Sequence, residues 1–240
     1  MESNMESNME SNMEINMEIN MEINTKSSIK DSVKLLIRAV TISLALLLIC
    51  GVIFPLGMTG ISQLIFHKQA NGSMIEYNGK PVGSELIGQA FTDTRYFHGR
   101  VSAYNYNTYT KADITPDANG KTAYSGPGSG SANLGPSNPA LVDRVNKDID
   151  AFLKAHPGVT KDQIPTDLLT SSGSGLDPDI SPQAAAIQIP LISQTTGISA
   201  TDLQKIVSKY TEGRQFGIFG EPRVNVLEVN IQINKLLQGK

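Results

Sequence analysis

The longest continuous pattern in the chain is apolar. From Ala39 to Phe66, AVTISLALLLICGVIFPLGMTGISQLIF, no residue carries a charge. A helix needs roughly 20 such residues to cross a bilayer, so the run spans with room for tilt. A cleavable leader would have an apolar core of roughly 7–15 residues ending at a small-residue site. This run ends in FHKQANG, without an A-x-A pattern, and an uncleaved anchor is predicted. Inside it, Pro55 lacks a backbone donor near the middle, and Gly51, Gly57, Thr59, Gly60 and Ser62 recur at roughly helical spacing. Small residues admit a partner helix at close range, although Gly and Pro are also common in membrane spans generally.

Beyond the apolar run the patterns are short and mixed. Gly79 to Phe91, GKPVGSELIGQAF, has apolar stretches punctuated by glycine and predicts one or two strands. Residues from about 104 to 136 are Tyr, Asn, Gly, Ser and Pro with few aliphatics, hence loop. Asn138-Pro139 supplies a cap and a first-turn proline for a helix with Leu141, Val145, Ile149 and Phe152 on one face, ending at HPG. Ser181 caps a second helix that starts at Pro182, packs closely through Ala184 to Ala186 and stops at Pro190. Ser199 with Asp202 opens a third, carrying Leu203, Ile206, Val207 and Tyr210, with Gly213 beyond it. At the C-terminal end Leu227, Val229, Ile231 and Ile233 alternate with Glu228, Asn230, Gln232 and Asn234, which predicts a strand with one wet face. Strands and helices do not alternate regularly. The predicted fold is a single N-terminal transmembrane helix, residues 39–66, followed by an α+β extracytoplasmic domain, residues 67–240.

Charge orients this arrangement. Residues 1–24 are six tetrapeptides, MESN then MEIN, whose glutamates face one another at i+4 and repel, so a disordered low-complexity tail is predicted. In the flank 25–38, Lys26, Lys30, Lys34 and Arg38 precede the apolar run, whereas only Lys68 and Lys80 follow closely. The positive-inside rule then puts the N-terminus in the cytoplasm and the C-terminal domain outside the cell membrane. The net charge of -3 comes from the repeats; beyond Phe66 acids and bases balance, which disfavours a nucleic-acid partner and leaves membrane lipid as the expected surroundings of the anchor. The single cysteine, Cys50, lies in the apolar run, so the outer domain has no thiol to oxidise.

Candidate chemistry is sparse. His67, His98 and His156 are scattered, with no HExxH, no Cys/His cluster and no GxSxG elbow, so neither a catalytic set nor a metal site is predicted. Asn119 to Thr122, NGKT, mimics the end of a phosphate loop, but Thr115 stands where a Walker motif needs glycine. Asn71-Gly72-Ser73 is formally a glycosylation acceptor. TSSGSGLDPDISPQ, from Thr170 to Gln183, is the remaining candidate, a glycine-serine loop ahead of a helix start. Such a junction can hold phosphate, but no Lys or Arg lies between Thr170 and Gln194, and Asp177 and Asp179 put negative charge where phosphate needs cations. A structural turn, with the glycines turning the chain and Ser181 capping the helix that follows, fits this segment better.

Several segments, in order, carry a resemblance: FPLGMTGISQLIF, QANGSMI, VGSELIGQAF, YFHGR, NLGPSNP, SGSGLDPDISPQAAAIQIP, TEGR and GEPRVNVLEVN. Together they resemble KdpC, the C-subunit family of the Kdp-type potassium-transporting ATPases of prokaryotes, from about Lys34 to Leu237. The chain departs from that pattern in the repeats, at Val101 and between Tyr104 and Ser125. The resemblance implies a noncatalytic accessory subunit of a high-affinity ATP-driven potassium uptake complex. Its implied partners are a channel-like potassium-binding subunit, a P-type ATPase subunit and a small single-span peptide. It also implies a catalytic chaperone that raises the pump subunit's affinity for ATP. Ser172, Gly173, Ser174, Gly175 and Gln188 are then the implied nucleotide contacts, with ATP the only implied cofactor and none intrinsic. Two other readings stay open: a nucleotide-binding subunit with a cytoplasmic domain, and a free-standing extracytoplasmic binding module.

Overall fold

The computed structural model describes the backbone of residues 2–239; the side chains of residues 1–12, 14, 23, 26 and 27 lie outside the described set, and with them Lys26 of the basic flank. The chain separates into two compact units, Met1–Ala70 and Asn71–Lys240.

The first unit is helical. It consists of α1 (Glu2–Leu48), a π turn over Ile49–Ile53, α2 (Phe54–Ile65) and the single turn α3 (His67–Ala70). From Ser28 to Ile65 this helix is long and apolar enough to cross a membrane, with mean hydropathy 2.6 and none of its most apolar stretch buried. The π turn has a local cause. Pro55 has no N–H and its ring crowds the carbonyl four residues back, so the preceding turn widens and Phe54 N–H donates to Ile49 O, five residues back. Hydroxyls in this stretch are satisfied within the helix: Thr41 Oγ1 donates to Ile37 O and Thr59 Oγ1 to Pro55 O, both at 2.8 Å. Such internal pairing is what a hydrocarbon environment demands. The tetrapeptide repeats, read from sequence as disordered, continue α1 as helix. No glycine or proline precedes Gly51, and Met and Glu are strong helix formers, so the i+4 glutamate repulsion is opposed by backbone propensity.

The second unit is α+β and, among the described residues, contains all of the buried core. It opens with a hairpin of β1 (Met74–Tyr77) and β2 (Lys80–Ser84), antiparallel with an irregularity between Ile75 and Glu76. Asn78 and Gly79, both at positive φ, make its turn, the conformation a two-residue hairpin favours. The strand predicted over Gly79–Phe91 is thus confined to β2, and residues 87–91 run irregularly. Next come α4 (Pro139–Ala155), β3 (Asp179–Ile180), α5 (Pro182–Thr196), α6 (Ala200–Lys209), β4 (Thr211–Glu212), β5 (Arg223–Asn225) and α7 (Val226–Gln238). The strands β3, β5 and β4 form a small antiparallel sheet in that order. Ile180, Ala184, Ala185, Ile189, Ile192, Leu203, Val207, Val224, Val229 and Ile233 close the core around fully buried Phe97.

The predicted caps form. Asn138, Ser181 and Ser199 accept from Ala140, Ala184 and Asp202 N–H respectively. Two expectations are corrected. Pro190 does not end α5; it lies exposed within the helix, which runs on to Thr196 and stops at Gly197 in the left-handed region (φ 68°). The last segment is a helix, not a strand. Its apolar residues satisfy both periods, but Val226, Val229, Asn230 and Ile233 share one helical face, and all four are buried. Asn225 caps it by accepting from Glu228 N–H at 3.1 Å and also donates to Glu85 O at 2.8 Å.

Replacing Asn225 with Ala removes both bonds. The expected cost is about 1–2 kcal/mol, read as a lower melting temperature for residues 71–240 without change in helical circular dichroism at low temperature.

Candidate functional site

The glycine-serine loop is built from the inside. Ser172 is buried, and its hydroxyl accepts from Gly175 N–H at 2.9 Å. Ser174 Oγ accepts from Leu176 N–H at 3.1 Å. The loop carbonyls are taken by neighbouring segments: Ser174 O by Gly130 N–H at 2.7 Å and Ser129 Oγ at 3.1 Å, Gly175 O by Ser102 Oγ at 2.6 Å, and Leu176 O by Gly88 N–H at 2.8 Å. Gly175 has φ +65°, and a Cβ there would approach Gly130 O to 2.5 Å and the Tyr104 ring to 3.4 Å. Conformation and space therefore both require glycine at this position. Gly173 is exposed, with nothing within 4 Å of where its Cβ would stand.

Gln188 belongs to a different contact. It projects from α5, 2 % exposed, onto the backbone of His98. Its Oε1 accepts from His98 N–H at 2.8 Å, while its Nε2 donates to His98 O at 3.3 Å and to Ala184 O at 2.9 Å. One residue earlier, Asn230 of α7 does the same for Phe97. Asn230 is 3 % exposed; its Oδ1 accepts from Phe97 N–H at 2.8 Å and its Nδ2 donates to Phe97 O at 2.9 Å. Two side-chain amides thus act as strand partners for the YFHGR segment, which belongs to no sheet. Tyr96 OH adds a donation to Asn234 Oδ1 at 3.2 Å. The sequence reading put Asn230 and Asn234 on a wet face; the helix turns Asn230 into the core.

The far end of YFHGR meets the loop. Val101 bridges Ser171, and Arg100 Nη1 pairs with Asp177 at 2.9 Å. Asp177 therefore has its cation, supplied from 77 residues away in sequence. Asp179 pairs with Arg223 at 3.1 Å, yet its carboxyl is raised to about 6, because burial and the neighbouring Asp177 charge outweigh Arg223. Burial holds the His98 imidazole below its usual range, and burial raises the Tyr106 phenol to about 12.

Structure also brings in groups that local sequence did not associate with the loop. A cavity of about 200 Å³ beside it is lined by Asn133, Leu134, Leu141, Arg144, Ser172 and Gly173, among others. The Arg144 guanidinium is engaged by Asp148 at 2.6 Å and by Leu169 O at 3.0 Å. Tyr104 packs against Gly128, Gly130 and Gly175, and its ring occupies the space a Cβ at Gly128 would take. Apart from Arg144–Asp148, an i,i+4 pair on α4, only tertiary folding makes these pairings, so no sequence spacing signals them. In the span, Gly51 falls within the π turn while Pro55, Gly57 and Gly60 lie on α2. A Cβ at Gly51, Gly57 or Gly60 would meet nothing within 4 Å, so the chain's own packing does not require glycine there.

The family model "K+-transporting ATPase, c chain" (KdpC) matches residues 36–235. Among similar proteins, the potassium-transporting ATPase KdpC subunit of Clostridioides difficile (strain 630) is 59 % identical over 199 residues, covering 83 % of this chain and 96 % of that protein. The subunit of the same name from Clostridium kluyveri is 57 % identical, covering 82 % and 91 %. That of Paraburkholderia phytofirmans is 46 % identical, covering 83 % and 96 %.

Truncating either amide clamp leaves a buried backbone N–H and carbonyl unpaired. Gln188→Ala and Asn230→Ala should each cost about 1–3 kcal/mol, and Gly175→Val should also destabilise; thermal melts of residues 71–240 measure all three. Asp179 carries a pH signature. Its folded pKa lies above the unfolded value of about 3.9, so the folded state binds more protons and stability falls as pH rises from about 4 to about 6. Asp179→Asn should remove that decline, seen as a flatter melting temperature across the same window.

Proposed function

The chain belongs to the KdpC family of K+-transporting ATPase c chains, and we propose that it serves as a noncatalytic, membrane-anchored subunit of such a transporter. In this reading the span holds it against a channel-like potassium-binding subunit and a P-type ATPase subunit. The α+β unit stands outside the membrane and covers the potassium entrance. ATP hydrolysis belongs to the pump subunit.

One observation carries the noncatalytic reading. Several polar groups that a nucleotide would recruit are already engaged: Gln188 by the His98 backbone and Ala184 O, Ser172 Oγ by Gly175, and Arg100 Nη1 by Asp177. A ligand drawing on them would have to break bonds that hold the fold. Any effect of this subunit on ATP affinity then acts through contact with the pump subunit. The span supports assembly: its glycines are not demanded by the chain's own packing, and small residues favour close approach of another helix.

Calorimetric titration of residues 71–240 with ATP should give no saturable heat at millimolar concentration. A dissociation constant below about 1 mM, roughly -4.1 kcal/mol, that vanishes in Gln188→Ala at unchanged melting temperature would establish direct nucleotide binding instead. For topology, protease added to spheroplasts should digest the α+β unit and spare a tag at the N-terminus. Digestion only after lysis would place that unit in the cytoplasm.

A further inference from the structure

The connection between β4 and β5 ends in a rigid apolar tip that the fold does not use. Phe216, Ile218 and Phe219 are 83 %, 70 % and 64 % exposed, and none belongs to the core. The tip is nevertheless fixed. Gln215 and Phe219 exchange backbone bonds at 2.8 and 2.9 Å, and Gly217 and Ile218 N–H donate to Arg214 O and Gln215 O at 3.0 and 3.2 Å. Arg214 Nη2 closes the base on both carboxylate oxygens of Glu221, at 2.8 and 2.7 Å. Phe216 is held at φ +54°, a conformation that bulky side chains seldom adopt. Water gains nothing from an aromatic ring displayed in this way. A rigid aromatic cluster has instead the composition and preorganisation of an interface anchor.

Charge and area select the occupant. Around the tip, Arg214 is matched by Glu221, and Arg223 by Glu212 and Asp179. These pairs form a neutral collar, unlike the surplus of basic residues that draws a loop to anionic lipid. Two Phe and one Ile offer only about 400 Å² of side chain, well short of the roughly 1,200–2,000 Å² that a freestanding complex buries. The tip therefore suits a partner already held nearby, and the span provides that proximity within a membrane complex. We propose that the Phe216–Phe219 tip is a plug that seats in an uncharged apolar pocket on another subunit of the transport complex. This rests on the reading of the chain as a subunit of that complex.

The test uses the full chain co-expressed with the other subunits of its ATPase. A tip variant, Phe216→Ser with Ile218→Ser and Phe219→Ser, should melt like wild type, because the three side chains are mostly exposed and none belongs to the core. Its retention of pump subunits in a detergent pull-down should fall by about ten-fold or more, the size expected for losing anchor residues. A photoreactive residue at Phe219 should crosslink to a partner subunit in intact membranes. Retention equal to wild type, or crosslinks only to lipid or to a second copy of this chain, overturns the plug while leaving the subunit reading intact. If the wild-type chain itself retains no pump subunit, both readings fall.

Discussion

The α+β unit depends on two buried amides gripping one irregular strand. Phe97 is the fully buried centre of the core, and the backbone that carries it into the interior belongs to no sheet. A peptide group there without partners would forfeit a substantial part of what the ring gains by burial. Asn230 and Gln188 remove that penalty by presenting, from α7 and α5, the donor-acceptor pair a neighbouring strand would present. The same two contacts tie both helices to YFHGR, and so set where its next residues emerge.

The glycine-serine loop follows from that placement. With His98 fixed, Arg100 reaches Asp177 and Val101 bridges Ser171, so the loop is pinned at both ends. Its interior is then filled by its own serine hydroxyls and flanked by Tyr104, whose ring occupies the space a side chain at Gly128 would take. A segment that looks like a phosphate cradle in sequence is here a keystone between the core and the long loop beyond YFHGR.

How much of this the sequence disclosed varies with the range of the interaction. Helix caps at Asn138, Ser181 and Ser199 depend on atoms within three residues, and the span depends on composition alone, so both were legible. Pro190 misled because a proline on an exposed helix face gives up one backbone bond where water is at hand, and the packing of Ile189 and Ile192 carries the helix through. The C-terminal segment misled because its alternation rested on counting Asn230 as a surface residue. Its polarity serves a backbone 133 residues away, and no local rule shows that. Arg100 and Tyr104 were opaque for the same reason: their partners lie across the fold. The hairpin at Asn78-Gly79, by contrast, had a plain turn signal that the glycine-punctuated stretch beside it obscured.

Amide hydrogen exchange at Phe97 and His98 tests the central claim most directly. In residues 71–240 these N–H groups, accepted by Asn230 and Gln188, should exchange only through global opening, with protection matching the amides of α5 around Ile192. Exchange as fast as that of the exposed loop around Gly120 would mean that the side-chain clamps do not hold the segment, and that Gln188 is free for another role.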